Sequence, residues 1–244
     1  MIEQFFRNIP PVVKNLLIIN ILMFVATIAI QDTDLRNILG LYNFKSPLFE
    51  PYQLVTYMFM HGDFTHLLFN MFSLVMFGSI LEQVWGPKRF LMFYFITGIG
   101  AVFLYQAVAY FEYAQAVQQI GQSAIENINA QIVDPSFNGS VKILGDAELA
   151  YARSIAIPLV GASGALFGIM IAFGVLFPNT ELMLIFFPVP IKAKYFIPGM
   201  ILLELYLGVM QFAGDNVAHF AHLGGALIGY ILMKLWQKDR KNFY

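Results

Sequence analysis

Six long apolar segments limit what this chain can fold into more than any other feature of the sequence. They lie near residues 13–30, 64–84, 89–111, 162–177, 196–213 and 217–236. A helix needs about 20 mostly apolar residues to cross the hydrocarbon core of a bilayer, with a range of about 17–25. Only 12% of the residues are charged, roughly half the fraction of a typical soluble domain. The sequence therefore predicts an all-α membrane protein, a six-transmembrane-helix bundle that forms a single domain over residues 1–244.

The distribution of lysine and arginine indicates how the segments are oriented. If both termini are cytoplasmic, ten of the 14 Lys and Arg residues lie on the cytoplasmic side, as the positive-inside rule favours. We therefore expect both termini in the cytoplasm and an extended outer loop at about 112–161. A polar stretch in that loop has helical spacing of its apolar residues, and "DPSFNGS" after it is typical of a turn.

The composition excludes several classes of function, and the N-terminal sequence indicates where the protein is located. The net charge is −1, which gives no bulk field for nucleic acid. Cysteine is absent, so disulfides, thiolate nucleophiles and cysteine metal sites are excluded. No small-residue cleavage site follows the first apolar segment, and no Arg/Ser-rich leader precedes it. We therefore expect a retained first helix and, as the simplest location, a bacterial inner membrane.

All four histidines fall in two short groups. The first group, "HGDFTHLLFN", contains His61, His66 and Asn70, and the second, "AHFAH", contains His219 and His222. Ionisable groups inside a membrane domain are costly, so they are candidates for a functional site. His66 and Asn70 are four residues apart and share one helix face. Hydrogen bonding between helices is the competing explanation for such side chains.

Small residues form matching stripes on two of the segments. The stripes are His222, Gly225 and Gly229 in the sixth segment, and Ser163, Gly164 and Gly168 in the fourth. Glycines at this spacing let two helix backbones approach closely. If the stripes face each other, Ser163 meets His222 as a nucleophile meets its base. Helix packing alone also explains the glycines, and "GASG" is not the hydrolase elbow G-x-S-x-G.

The fourth segment is short, which bears on the depth of its serine. From Ser163 to Phe177 a helix of 15 residues is about 22 Å long, against a hydrocarbon core of about 30 Å. The serine then lies below the outer surface, where non-helical backbone is tolerated only beside protein or a wet cavity. We expect a recessed, hydrated pocket. A helix N-terminus favours an anion, so the Ser163 N–H, His66 and Asn70 could hold an oxyanion.

These motifs, in this order, resemble the rhomboid intramembrane serine proteases. "HGDFTHLLFN" is similar to their H-x-x-x-x-H-x-x-x-N, "GASG" to G-x-S-G, and "AHLGGALIG" to H-x-x-G-x-x-x-G. "LEQVWGPKRF" is also typical of the family, and the resemblance covers roughly residues 10–236. The chain differs from the family at Tyr52-Gln53, where a Trp-Arg pair is common, and in its longer connection at 112–161.

The resemblance implies a role for each candidate residue. Ser163 is the nucleophile and His222 the general base of a dyad that has no carboxylate as an obvious third member. His66, Asn70 and the Ser163 backbone form the oxyanion hole. His61 organises the first outer loop, and Phe167 packs on the catalytic histidine. His219 lies one turn from His222 on the same helix face and is the alternative base. Because His222 heads the glycine stripe and lies about 4.5 Å deeper along the helix axis, we expect His222 to be the base and His219 to line the mouth of the cavity. Further supporting positions are Gly161, Gly164, Gly225 and Gly229, while Glu204 has no assigned role.

The sequence thus favours an intramembrane serine endopeptidase without a cofactor. Its partners are the lipid bilayer and transmembrane protein substrates, which it cuts in or near their membrane segments. One alternative is a catalytically silent relative that binds membrane helices. Another is a metal protein or transporter that uses His66, His219 and His222. Against a metal site, no carboxylate or fourth ligand is suitably placed along the sequence, and a metal site leaves the glycine stripes unexplained.

Overall fold

The computed structural model describes residues 8–30, 34–134, 140–143, 145–184, 187–210 and 217–240, and these are mostly helical. The helices are α1 (Pro11–Ala29), α2 (Leu35–Leu39), α3 (Gln53–Thr56), α4 (Phe64–Ser73), α5 (Ser79–Trp85), α6 (Pro87–Gln119), α7 (Gln122–Val133), α8 (Asp146–Ala156), α9 (Ser163–Leu176), α10 (Ala193–Met210) and α11 (His219–Arg240). A 3₁₀ turn, Tyr57–Phe59, follows α3, and a π-helical turn, Leu74–Gly78, joins α4 to α5.

Four helical stretches in the described part of the chain are long and apolar enough to cross a membrane. They are Pro11–Ala29, Phe64–Trp85, Pro87–Gln119 and Ala193–Met210. Helix α9 is apolar but has only 14 residues, in line with the short fourth segment expected from the sequence. These findings confirm a largely helical, membrane-spanning chain. The count of six spanning helices and the cytoplasmic position of the termini stay predictions.

A β-hairpin between α9 and α10 was not predicted. Strands β1 (Glu181–Leu184) and β2 (Phe187–Lys192) are antiparallel, with Glu181 opposite Lys192 and Leu182 opposite Ile191. Two prolines in "FPVPIK" remove backbone donors and exclude a regular helix there. The hairpin is an exception within a chain whose described residues are mostly helical, as the sequence predicted.

The described residues group into two compact units, which are interleaved along the chain. The first unit comprises residues 1–19, 68–104 and 162–244, and the second comprises residues 20–67 and 105–161. The prediction of a single membrane domain over residues 1–244 stays a prediction.

In the first unit, α9 and α11 are in close backbone contact through the two glycine stripes. A Cβ atom placed on Gly229 would lie 2.7 Å from the Cα of Gly168. On Gly225 a Cβ would clash with the carbonyl of Gly164. Gly168 also contacts α6, because a Cβ there would lie 2.6 Å from the Cβ of Thr97. Glycine is thus required for the closeness of α9 to α11.

The N-terminus of α1 is held in the first unit by a buried carboxylate. The Glu82 side chain accepts hydrogen bonds from the N–H groups of Val12 and Val13, at 2.9 and 2.8 Å. These donors belong to the first turn of α1, which has no intrahelical acceptors for them. A negative charge at this position also complements the helix dipole. Glu82 lies in "LEQVWGPKRF" and links the second apolar segment to the first.

The 112–161 connection is folded around a hydrophobic core of its own within the second unit. Helix α6 continues to Gln119, beyond its apolar run, because "EYAQAVQQ" consists largely of good helix formers. The helix predicted over residues 112–133 is divided in the structure: its first part continues α6 to Gln119, and its second part is α7. Helix α8 was not predicted. Most of the turn expected at "DPSFNGS" lies outside the described residues. The buried residues of this core are Ala116, Ile128, Ile132, Tyr151, Ala152 and Ile155.

The loop that precedes α4 is organised by Gln53, one of the two residues at which the chain differs from the family pattern. The Gln53 side chain is buried, and its Oε1 accepts a hydrogen bond from the Glu50 N–H at 3.1 Å. Its Nε2 donates to the Leu48 carbonyl at 3.0 Å. A second tie is the bond from Ser46 Oγ to the Ile155 carbonyl, 2.6 Å, which joins this loop to α8. A neutral amide therefore braces this loop from inside.

Candidate active site

Ser163 is the first residue of α9, and the backbone before it makes a turn that only glycine adopts easily. Gly161 has a φ of 120°, a region that side chains rarely tolerate. Its N–H donates to the Tyr57 carbonyl at 2.9 Å. Ala162 then forms the helix N-cap without a side-chain hydrogen bond. In the first turn of α9 the N–H of Ser163 has no intrahelical acceptor, so it is available to a ligand oxygen.

The serine and the histidine of the two stripes are in hydrogen-bond contact. Ser163 Oγ lies 2.8 Å from His222 Nε2. The imidazole is stacked on the ring of Phe167, with centroids 4.4 Å apart and an angle of 8° between the planes. Gly225 and Gly229, on the same helix as His222, provide the close approach described above. The arrangement has the donor and acceptor geometry in which an imidazole can take a proton from a hydroxyl.

Glu204 of α10 is the residue that sequence reasoning missed. Its Oε2 lies 2.8 Å from His222 Nδ1 and 2.7 Å from His219 Nδ1. His219 is buried in this contact, with 6% of its surface exposed, whereas the sequence placed it at a cavity mouth. The sequence feature that could have identified Glu204 is its position inside an apolar membrane segment. An ionisable residue there is costly unless a second polar or charged group pairs with it.

Glu204, His219 and His222 also form the group that could hold a metal ion in the described part of the chain. Their ligand atoms lie within 4.8 Å of one another. Three protein ligands and one open position are the pattern of a catalytic zinc. The expectation that no carboxylate is suitably placed was wrong, because Glu204 is. The other histidine of the metal hypothesis, His66, does not belong to this group.

His61 and His66 contact each other in the second unit. Their rings meet edge to face, with centroids 5.1 Å apart. His61 is 1% exposed, and burial, with His66 nearby, lowers the pKa of His61 to about 4. The N–H of His66 donates to Asp63 Oδ1 at 2.9 Å, which caps α4. Asn70 lies one turn further along α4, is buried and belongs to the first unit.

Taken together, the described helices and this cluster define an integral membrane protein with a serine–histidine pair among apolar helices. A family model described as "Rhomboid domain" matches residues 48–238. The chain therefore belongs to the rhomboid family.

Curated relatives agree with this assignment. The chain is 30% identical over 236 residues to "RHOMBOID-like protein 12, mitochondrial" of Arabidopsis thaliana. The aligned region covers 95% of this chain and 60% of that protein. It is 28% identical over 203 residues to "Putative rhomboid protease YdcA" of Bacillus subtilis, covering 83% of this chain and 76% of that protein. It is 27% identical over 187 residues to "Rhomboid protein 1, mitochondrial" of Saccharomyces cerevisiae, covering 75% and 42%. Because two of these three names are mitochondrial, they lend no support to a bacterial inner membrane.

Proposed function

We propose that this chain is an intramembrane serine endopeptidase that hydrolyses peptide bonds in or near transmembrane segments of membrane proteins. The observation that carries the proposal is the 2.8 Å contact between Ser163 Oγ and His222 Nε2. Membership of the rhomboid family and the similarity to a relative whose name includes a protease support the same reading. Water for the hydrolysis reaches the dyad through a hydrated cavity recessed in the membrane.

The proposed reaction is an acyl transfer in two halves. Ser163 Oγ attacks the peptide carbonyl carbon while its proton moves to His222 Nε2, and a tetrahedral intermediate forms. The intermediate collapses when the C–N bond breaks and His222 donates that proton to the leaving amine. In the second half, His222 Nε2 takes a proton from a water molecule whose oxygen attacks the ester carbon, and a second tetrahedral intermediate forms. It collapses when the bond between the acyl carbon and Ser163 Oγ breaks, His222 returns the proton to Oγ, and the carboxylic acid product leaves. Stacking on Phe167 keeps the imidazole in place through both halves.

The negative charge on the carbonyl oxygen needs donors in the transition state. The N–H of Ser163, in the first turn of α9, is one such donor. The family resemblance adds His66 and Asn70 as the other two, and this assignment stays a prediction. Removal of one oxyanion donor typically lowers kcat by about 10²–10³-fold. We therefore expect Asn70→Ala to lower kcat by this amount while the substrate still binds.

The substrates are single membrane helices of other proteins. A helical backbone hides its carbonyls in hydrogen bonds, so the cut segment should contain residues that weaken a helix. If both termini are cytoplasmic, the serine lies toward the outer leaflet and cleavage occurs near the outer end of the substrate helix. The membrane that houses the protein stays a prediction.

The decisive experiment compares purified variants in detergent with a panel of single-span substrates. Wild type should cleave at least one substrate, while Ser163→Ala and His222→Ala should not. Ser154→Ala is the matched control, because that hydroxyl donates to the Tyr151 carbonyl at 2.7 Å and has no part in the proposal. Equal cleavage by wild type and Ser163→Ala would refute the protease.

Two further arms separate the alternatives. A serine-directed phosphonate should block cleavage and label Ser163, whereas a strong chelator should leave the rate unchanged. Loss of activity in chelator with recovery on added zinc would favour a metal centre at Glu204, His219 and His222. Binding of single-span helices without cleavage, equal in wild type and Ser163→Ala, would identify the catalytically silent relative. His219→Ala should retain measurable proteolysis, in contrast to His222→Ala.

A further inference from the structure

The carboxylate of Glu204 stands in a helix that otherwise has no acidic residue. Helix α10 reads "AKYFIPGMILLELYLGVM" and is one of the candidate membrane spans. A charged side chain at such a depth is costly unless it is paired. Its side chain is 14% exposed, and it faces His219 and His222 of α11. The cost of placing it there indicates that the contact has a role.

One oxygen of this carboxylate fixes the orientation of the imidazole that contacts the serine. Glu204 Oε2 lies 2.8 Å from His222 Nδ1, and on the opposite edge of the ring Ser163 Oγ lies 2.8 Å from Nε2. A carboxylate can only accept, so Nδ1 carries the proton. Nε2 of the neutral ring then presents a lone pair to the serine hydroxyl. This is the tautomer that a general base requires.

We propose that Glu204 is the positioning residue of a Ser163–His222–Glu204 triad, in place of the dyad that the family resemblance implies. The inference rests on the proposed protease function and deepens it. When His222 takes the serine proton it becomes a cation, and the carboxylate at 2.8 Å stabilises that cation in surroundings of low dielectric. Glu204 does not touch the substrate and acts only through the histidine.

His219 holds the carboxylate in position. Its Nδ1 lies 2.7 Å from the same Oε2, so the oxygen lies between two imidazoles. The close approach of α10 to α11 at this point depends on Gly208, since a Cβ there would lie 3.0 Å from the Cβ of His219. His219 thus has a structural role that explains its burial without a direct contact to the serine. Among the described residues, the polar and titratable groups that face His222 are Ser163 from α9, Glu204 from α10 and His219 from its own helix.

The test uses the full-length protein with the isosteric variant Glu204→Gln, the shorter acid Glu204→Asp and the control Glu181→Gln. Glu181 is an exposed carboxylate at the start of β1 in the same unit. Glu204→Gln should lower kcat by up to about 10⁴-fold, the loss caused by replacing the carboxylate of a soluble triad, and change KM little. Glu204→Asp should recover part of the loss, and Glu181→Gln should behave as wild type.

Two readouts separate positioning from a merely structural role. In Glu204→Gln the pH dependence of kcat should differ from that of wild type, because His222 Nδ1 no longer has a carboxylate beside it at 2.8 Å. Fluorophosphonate labelling of Ser163 should slow in parallel with kcat. The triad is refuted if wild type cleaves and Glu204→Gln matches it in kcat and pH profile. It is equally refuted if the loss follows a lower unfolding temperature and Glu204→Asp recovers nothing. Failure of wild type to cleave, with Ser163→Ala indistinguishable, refutes the protease instead.

Discussion

The substitution Gly229→Ala tests whether the backbone contact between α9 and α11 sets the distance between Ser163 and His222. The added Cβ would lie 2.7 Å from the Cα of Gly168 and 2.9 Å from its carbonyl oxygen. Non-bonded carbons prefer about 3.5–4.0 Å. Both atoms of Gly168 belong to the backbone, so no side chain can rotate away. The two helices must therefore separate by about 1 Å.

The cost of overpacking and the gain in helix propensity together determine whether Gly229→Ala changes stability or catalytic rate more. Overpacking of this kind costs about 1–3 kcal/mol, while replacing glycine by alanine inside a helix contributes about 1 kcal/mol of stability. The net loss of stability is then only about 0–2 kcal/mol, and the protein stays folded. Activity responds more strongly, because a shift of about 1 Å at a reacting pair costs about 10²-fold in rate. The 2.8 Å contact between Ser163 and His222 would lengthen beyond hydrogen-bond reach.

The assay is the initial rate of cleavage of a single-span reporter in detergent, with thermal unfolding measured on the same samples. Gly199→Ala is the matched control, because a Cβ on that glycine of α10 meets no atom within 4 Å. The control should keep its activity. Gly229→Ala should lose about 10²-fold in kcat with a small change in unfolding temperature. A Gly229→Ala protein that cleaves at the wild-type rate would show that activity does not depend on this contact.

Three further substitutions test other parts of the structure. Burial lowers the pKa of His61 to about 4, so between about pH 6.5 and 4 the unfolded chain binds a proton that the folded chain does not. Acidification from pH 8 to pH 5 should then lower the free energy of unfolding by about 2 kcal/mol, and His61→Phe should abolish this dependence in unfolding measured at the two pH values. Glu82→Gln should lower stability by about 1–3 kcal/mol, since one N–H at the start of α1 loses its acceptor, which thermal unfolding would detect. Gly161→Ala should cost about 1–3 kcal/mol from strain at a φ of 120°, and an unchanged unfolding temperature would contradict this.

Local patterns in the sequence were sufficient for most of the helices. Apolar runs of about 20 residues located α1, α6 and α10 to within a few residues at most of their ends, because length and hydropathy are properties of a single segment. The predicted end of a helix was wrong where polar residues continue the helix beyond its apolar run. Helix α6 ends at Gln119, whereas the apolar segment ends near residue 111. The β-hairpin was missed because its strands are short and their pairing is a contact between segments. The core around Tyr151 was missed for the same reason.

The contact between Ser163 and His222 could be predicted because each residue heads a glycine stripe on its own helix. Spacing along one helix fixes which residues share a face, and two small-residue faces on apolar helices are expected to meet. Gly225 lies opposite Gly164 and Gly229 opposite Gly168. Ser163 and His222 are therefore at the same level along the two helices and can form a hydrogen bond. Glu204 heads no glycine stripe, so the same spacing pattern does not assign it a role.

The fifth segment also carries a small residue and an ionisable residue on one helix face. Glu204 and Gly208 are four residues apart, so they share one face of α10. A small residue next to an ionisable one marks the face on which a second helix lies, and in the structure Gly208 contacts His219. Glu204, one turn away, then reaches Nδ1 of both His219 and His222. What sequence could not supply is the rotation of α10 relative to α11, which packing against the rest of the first unit determines. The glycine of each helix therefore predicts the partner face, and the polar residue beside it predicts what chemistry that face holds.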